Sequence, residues 1–127
     1  MTVLIVAAGG ALGAVSRYLA TGWVKDLTGE FFPWGTFVVN AAGSLALGFA
    51  LVWLQTTVSS TELRQFIAIG FLGSFTTFST FSYEAVALLR DREWWQAGGY
   101  VAGSVALSLL AVVIGMAMAS ALVQGKT

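Results

Sequence analysis

The chain has 127 residues, of which 57% are hydrophobic and 9% charged, and its mean hydropathy is +0.84. Soluble domains carry roughly 25% charged residues, so this chain has too little polar surface for water and reads as an integral membrane protein. Its formal net charge is zero and it contains no cysteine and no histidine. That excludes disulfides, thiolate or imidazole metal sites, a serine–histidine pair and a basic patch for nucleic acid.

A membrane helix needs about 20 apolar residues. The length therefore fits four spans with short loops: one all-α, four-helix transmembrane domain over residues 1–127. Span one covers roughly Val3–Val24. It lacks a basic leader and runs on past Gly13 to Arg17, so it reads as a retained span rather than a signal peptide. Gly9, Gly10 and Gly13 form a small-residue pattern that lets another backbone approach closely. Arg17 either snorkels or bonds within an interface, or it attracts an anion. The loop Lys25–Pro33 carries Gly29 and the only proline. Phe31, Phe32 and Trp34 suit the headgroup level.

Span two, roughly Trp34–Leu54, is apolar apart from Thr36, Asn40 and Ser44, which recur every four residues on one helical face. Asn40 reads equally as interhelical glue or as a neutral donor on a polar path. In the linker Gln55–Leu63, Ser60 or Thr61 followed by Glu62 has the form of an N-cap.

Span three, about Leu63–Leu89, holds the most unusual stretch, Gly70–Glu84. Ser74, Thr76, Thr77, Ser79, Thr80 and Ser82 place six hydroxyls in nine positions, with Phe75, Phe78 and Phe81 at every third residue. Such density at membrane depth suits holding something polar without formal charge. Glycine-interrupted helices are tolerated where the freed backbone lines a cavity, so a break within Gly73–Thr77 is expected. The alternative is a continuous helix whose hydroxyls bond back one turn.

The run Arg90–Glu93 reads as a solvated turn, and Trp94 and Trp95 as a second interfacial belt. Span four, about Gln96–Val123, repeats a glycine pair at Gly99 and Gly103. Tyr100, Ser104 and Ser108 fall at i, i+4 and i+8, a ladder that is either packing glue or a wet track. Four spans leave Arg64 and Lys126 on one side against Lys25, Arg90 and Arg92 on the other, with Arg17 leaning the same way. That balance gives no clear orientation under the positive-inside rule, which fits a protein that inserts both ways up and pairs antiparallel with itself.

The intramembrane polar set is neutral, with Arg17 and Glu84 the ionisable exceptions near its edges. Four thin helices cannot hide so many polar groups from lipid, so a homo-oligomer is expected. Hydroxyls, an amide and the positive edges of phenylalanine rings can replace part of an anion's water shell. Conduction needs sites that are weak and multiple rather than one fixed cation.

Three stretches together resemble the Fluc (CrcB-type) fluoride-channel family: GALGAVSRY at Gly10–Tyr18, PWGTFVVNAAGS at Pro33–Ser44 and GFLGSFTTFSTFSYE at Gly70–Glu84. The resemblance covers the whole chain. It implies an antiparallel dual-topology homodimer with a broken third helix and two pores, passively exporting cytoplasmic fluoride across the inner (plasma) membrane. It further implies pore roles for Phe78, Phe81 and Asn40, pathway hydroxyls at Ser79 and Thr80, and a polar track at Tyr100, Ser104 and Ser108. Glu84 would influence permeation and Arg17 would help anion entry. A central structural Na⁺ would be held by the backbone carbonyls of Gly73 and Thr76.

Two other readings stand beside it. A small dual-topology proton-coupled exporter needs a deep carboxylate, and Glu84, the sole candidate, lies near the membrane edge. A non-transporting packing subunit would use the same glycines and hydroxyls as glue. An enzyme is the weakest class, because no base stands near the serines.

Overall fold

The computed structural model describes residues 1–58 and 60–125, so Lys126, counted in the charge balance, lies outside the described residues. Helix α1 is Thr2–Thr28 and α2 is Trp34–Thr57. The third span runs from α3, Thr61–Arg64, through a π-helical stretch, Gln65–Leu72, to the short α4, Gly73–Phe75. After Thr76 and Thr77 it resumes as α5, Phe78–Arg90, and α6 is Trp94–Gln124. The four segments Thr2–Thr28, Trp34–Thr57, Thr61–Arg90 and Trp94–Gln124 are each long and apolar enough to cross a membrane.

Helix ends follow local chemistry. Helix α1 continues a turn beyond the expected Val24 and stops at Gly29, whose φ of 83° suits glycine. That extension puts Lys25 in the last turn, where its charge complements the carbonyl end of the helix. Lys25 also pairs with Glu30 at 3.1 Å, an exposed contact that adds little. Ser60 is the N-cap of α3, its Oγ accepting from the Leu63 N–H at 3.2 Å. Between α5 and α6 the chain turns through Arg92, which has φ of 60°. The Arg92 N–H bonds the Leu89 carbonyl at 3.1 Å and the Glu93 N–H bonds Leu88 at 2.9 Å, the pattern that normally selects glycine.

Close backbone crossings hold the helices together, among them Gly35 of α2 against the Thr21 backbone of α1 and the two that follow. Helix α1 meets the π-helical stretch at Gly9 and Gly13, where an added Cβ would strike the carbonyl oxygens of Phe66 and Phe71. Helix α2 meets α6 at Gly48 and Gly115, where a Cβ would strike the carbonyls of Val112 and Leu45. The Gly99/Gly103 pair takes no part in such a crossing. Gly99 has nothing within 4 Å, and Gly103 faces the Phe37 ring. The aromatic cluster of Phe32, Phe37, Phe81 and Tyr100 fills the gap between helices at that level and holds the backbones apart.

Gly48→Val is expected to cost about 1–3 kcal/mol or more through overpacking against a backbone that cannot retreat. Arg92→Gly is expected to gain on the order of 1 kcal/mol by relieving the left-handed residue. Thermal unfolding in detergent checks both, with opposite signs.

Candidate functional site

The site begins with the residues between α4 and α5. Thr76 has φ −89° and ψ 157°, and Thr77 has φ −148° and ψ 123°, so both are extended at membrane depth. β-Branched residues favour that geometry. Extended backbone inside a bilayer still needs partners for its N–H and C=O groups. Asn40 supplies them from α2. Its Oδ1 accepts from the Thr77 N–H at 2.8 Å, and its Nδ2 donates to the Thr77 carbonyl at 2.9 Å. One Nδ2–H remains free for another acceptor. Thr77 then caps α5, its Oγ1 accepting from the Thr80 N–H at 3.2 Å.

This bonding redirects the donors that a continuous helix would have used. Gly73 would have received the Thr77 N–H and Thr76 the Thr80 N–H. Both are committed elsewhere, so the two carbonyls lack their i+4 partners. Thr76 Oγ1 bonds back to the Leu72 carbonyl at 3.2 Å. Arg17 reaches across from α1, its Nε donating to the Ser74 carbonyl at 3.0 Å. Arginine at this depth is therefore tied to backbone, the interface reading of the sequence, while the residue also lines an outer cavity.

Two cavities meet at Thr77. The inner one, about 310 Å³, is walled by Asn40 and Ser44 from α2, Phe78 and Phe81 from α5, and Ser104 and Ser108 from α6. The Phe78 and Phe81 rings lie 5.6 Å apart at 52°. Phe81 is buried at 8% exposure, whereas Phe78 is 78% exposed on the single chain. The Ser104 hydroxyl is buried and has no hydrogen-bond partner among the described residues. The outer cavity, about 830 Å³, reaches from Lys25 and Glu30 down to Thr80 and Glu84, with Arg17 on its wall.

The candidate residues thus divide. Asn40, Phe78, Phe81, Ser104 and Ser108 come together around the inner space, and Arg17, Thr80 and Glu84 around the outer one. Tyr100 lines neither. It is fully buried, its hydroxyl donates to Glu84 Oε1 at 3.1 Å, and its ring packs 5.1 Å from Phe81 and 5.4 Å from Phe32. Ser79 is exposed, 3.4 Å from Thr77 Oγ1, and lies outside both spaces. Ser44 and Thr77 were not among the candidates. The four-residue spacing of Thr36, Asn40 and Ser44 pointed to the first, and nothing singled out Thr77 from its neighbours.

For a hard monovalent cation, the freed carbonyls of Gly73 and Thr76 are a suitable donor type. Among the described residues no group of three or more acidic, cysteine or histidine side chains could hold a metal.

These features define a class: a small four-span membrane protein with an uncharged polar cavity beside a helix interruption. A family model described as CrcB-like protein, Camphor Resistance (CrcB), matches residues 4–116, and the chain belongs to that family. A relative from Hahella chejuensis, named fluoride-specific ion channel FluC, is 49% identical over 91% of this chain and 92% of its own. Proteins of the same name from Geobacter sulfurreducens and Rhizobium meliloti are 49% and 44% identical, over 91% and 95% of this chain and 94% and 98% of theirs. Those relatives are ion channels and not enzymes. With its four apolar spans, the chain is a multi-pass protein of the bacterial plasma membrane.

Asn40→Ala removes both partners of the Thr77 backbone and is expected to cost about 1–3 kcal/mol. Asn40→Asp keeps the acceptor and loses the donor, so its unfolding in denaturant should fall between wild type and the alanine variant.

Proposed function

We propose that the chain is a fluoride-selective channel through which cytoplasmic fluoride leaves passively, and that it works as an antiparallel dual-topology homodimer with two pores. The observation that carries the reading is the inner cavity, where neutral donors and ring edges converge at membrane depth with no fixed cation. Fluoride is small and strongly hydrated, so it must exchange its water for several close donors. The unpartnered Ser104 hydroxyl, the Ser108 hydroxyl and the spare N–H of Asn40 are such donors. Phe78 and Phe81 offer positive ring edges, which attract an anion weakly enough to release it. Arg17 draws the anion to the outer cavity, Thr80 supplies a hydroxyl along the way, and Glu84 tunes passage from the wall of that cavity. Ser79, outside both spaces in one copy, would reach the route only at the interface with a second copy. Tyr100 acts through its hydrogen bond to Glu84.

The homodimer reading draws on what one copy leaves uncovered. Phe78 is 78% exposed, and Gly73 and Ser79 are also exposed. Lipid gives no hydrogen bonds to the Ser79 hydroxyl or the freed Gly73 carbonyl, whereas a second, inverted copy can cover them together with the Phe78 ring. The near balance of loop charges agrees with insertion in both orientations. The break in the third span would face its counterpart across the pair. There, the Gly73 and Thr76 carbonyls of both copies would hold a structural Na⁺, whose charge would fix the two interruptions together.

Purified protein in liposomes should release fluoride without any Na⁺ or proton gradient and retain chloride. Phe81→Ile and Asn40→Asp should each lower that efflux by about tenfold or more, equivalent to about 1.4 kcal/mol, while the dimer still elutes intact. Chloride release as fast as fluoride release would end this assignment.

A further inference from the structure

Following α6 outward from the inner cavity leads to a polar residue outside the candidate set. Gln96 stands one turn before Tyr100, so Gln96, Tyr100, Ser104 and Ser108 share one face at i, i+4, i+8 and i+12. The Oε1 atom of Gln96 is buried and has no hydrogen-bond partner among the described residues. Ser104 Oγ is buried and unpartnered in the same way. Buried polar atoms normally find partners, so two orphans on one helix face ask for a shared explanation.

Each orphan belongs to a residue that lines a cavity. Ser104 lines the inner space already described. Gln96 lines a separate one of about 290 Å³, walled by Glu30 and Pro33 before α2, Glu84 and Leu88 of α5, and Glu93 at the start of α6. Its wall draws on residues of two interhelical turns, and Trp94 and Trp95, which follow Glu93 in the chain, are exposed. Tyr100 stands on the ladder between the two spaces. Its hydroxyl is held by Glu84, which lines the outer of them.

Resting on the fluoride-channel reading, we propose that Gln96 is the outermost rung of the α6 ladder, a station at which fluoride exchanges protein donors for water. A half-turn about χ3 swaps the amide oxygen for its NH₂, so the rung can accept from a water or donate to the anion. Glu30, Glu84, Asp91 and Glu93 line the same space and oppose any long residence of an anion there. One neutral amide among carboxylates touches the ion without trapping it, which suits a release step.

The chain has no cysteine, so Gln96→Cys carries a single thiol. Full-length Gln96→Cys in liposomes is exposed to an anionic methanethiosulfonate on both sides, and fluoride efflux is followed with an electrode. The thiol is expected to react, and the modified protein to lose about tenfold or more of its efflux. Gln96→Leu should lose about fivefold, the size of one neutral hydrogen bond, and Gln96→Asn should restore most of it. A thiol that stays unreactive, or reacts without changing efflux, overturns the proposal. If Gln96→Leu does not assemble, the cysteine result decides. Conducting wild type with indifferent Gln96 variants overturns this inference alone. Wild type without fluoride efflux overturns the channel reading and this inference with it.

Discussion

Two hydrogen bonds between one amide side chain and the backbone of one residue govern this molecule. Extended backbone in the middle of a bilayer exposes N–H and C=O groups that lipid cannot satisfy, at a cost of several kcal/mol each. Asn40 meets both groups of Thr77 at 2.8 and 2.9 Å. That lets the chain leave helical geometry at Thr77 with both backbone groups of that residue paired. The rest follows from where the diverted donors go. Thr77 can cap α5, the Gly73 and Thr76 carbonyls lose their usual partners, and α5 starts afresh with Phe78 and Phe81 turned to the cavity.

The chemistry gathered around that point is neutral by construction. The arginine near it spends a guanidinium N–H on the Ser74 carbonyl at 3.0 Å, so its charge also serves to close the end of α4. The carboxylate near it accepts from Tyr100, which packs in turn against Phe81. A fixed cation in the cavity would hold an anion too firmly to conduct it, and a free carboxylate would repel it. Hydroxyls, one amide and ring edges lie between these extremes. This balance underlies the fluoride reading and gives Tyr100 a supporting rather than a lining role.

The scaffold makes such a site tenable because its helices touch backbone to backbone. Glycines at the α1 crossing with the π-helical stretch, and at the α2 crossing with α6, remove the side-chain layer that would allow sliding. Asn40 on α2 and the serines on α6 are thus held at fixed separation. A site measured in single hydrogen-bond lengths requires that stiffness. In the proposed pair, the surface left bare around Phe78 is the remaining wall, which one chain cannot provide.

Much of this was legible in one dimension. Low charge and long apolar runs determined four spans, because a bilayer admits few alternatives. The four-residue spacing of Thr36, Asn40 and Ser44, and of Tyr100, Ser104 and Ser108, determined which residues share a face, since helical periodicity is local. Hydroxyl density and the glycines of span three marked where polar groups gather. Tertiary structure alone decided what each residue touches. That Asn40 binds Thr77, that Arg17 binds Ser74 and that Tyr100 serves Glu84 depends on contacts 37, 57 and 16 residues apart. It also decided that Gly115 rather than Gly99 makes the α6 crossing, and that Gln65–Leu72 widens into a π-helix. Periodicity names a face, but it cannot say which neighbour arrives there or how closely.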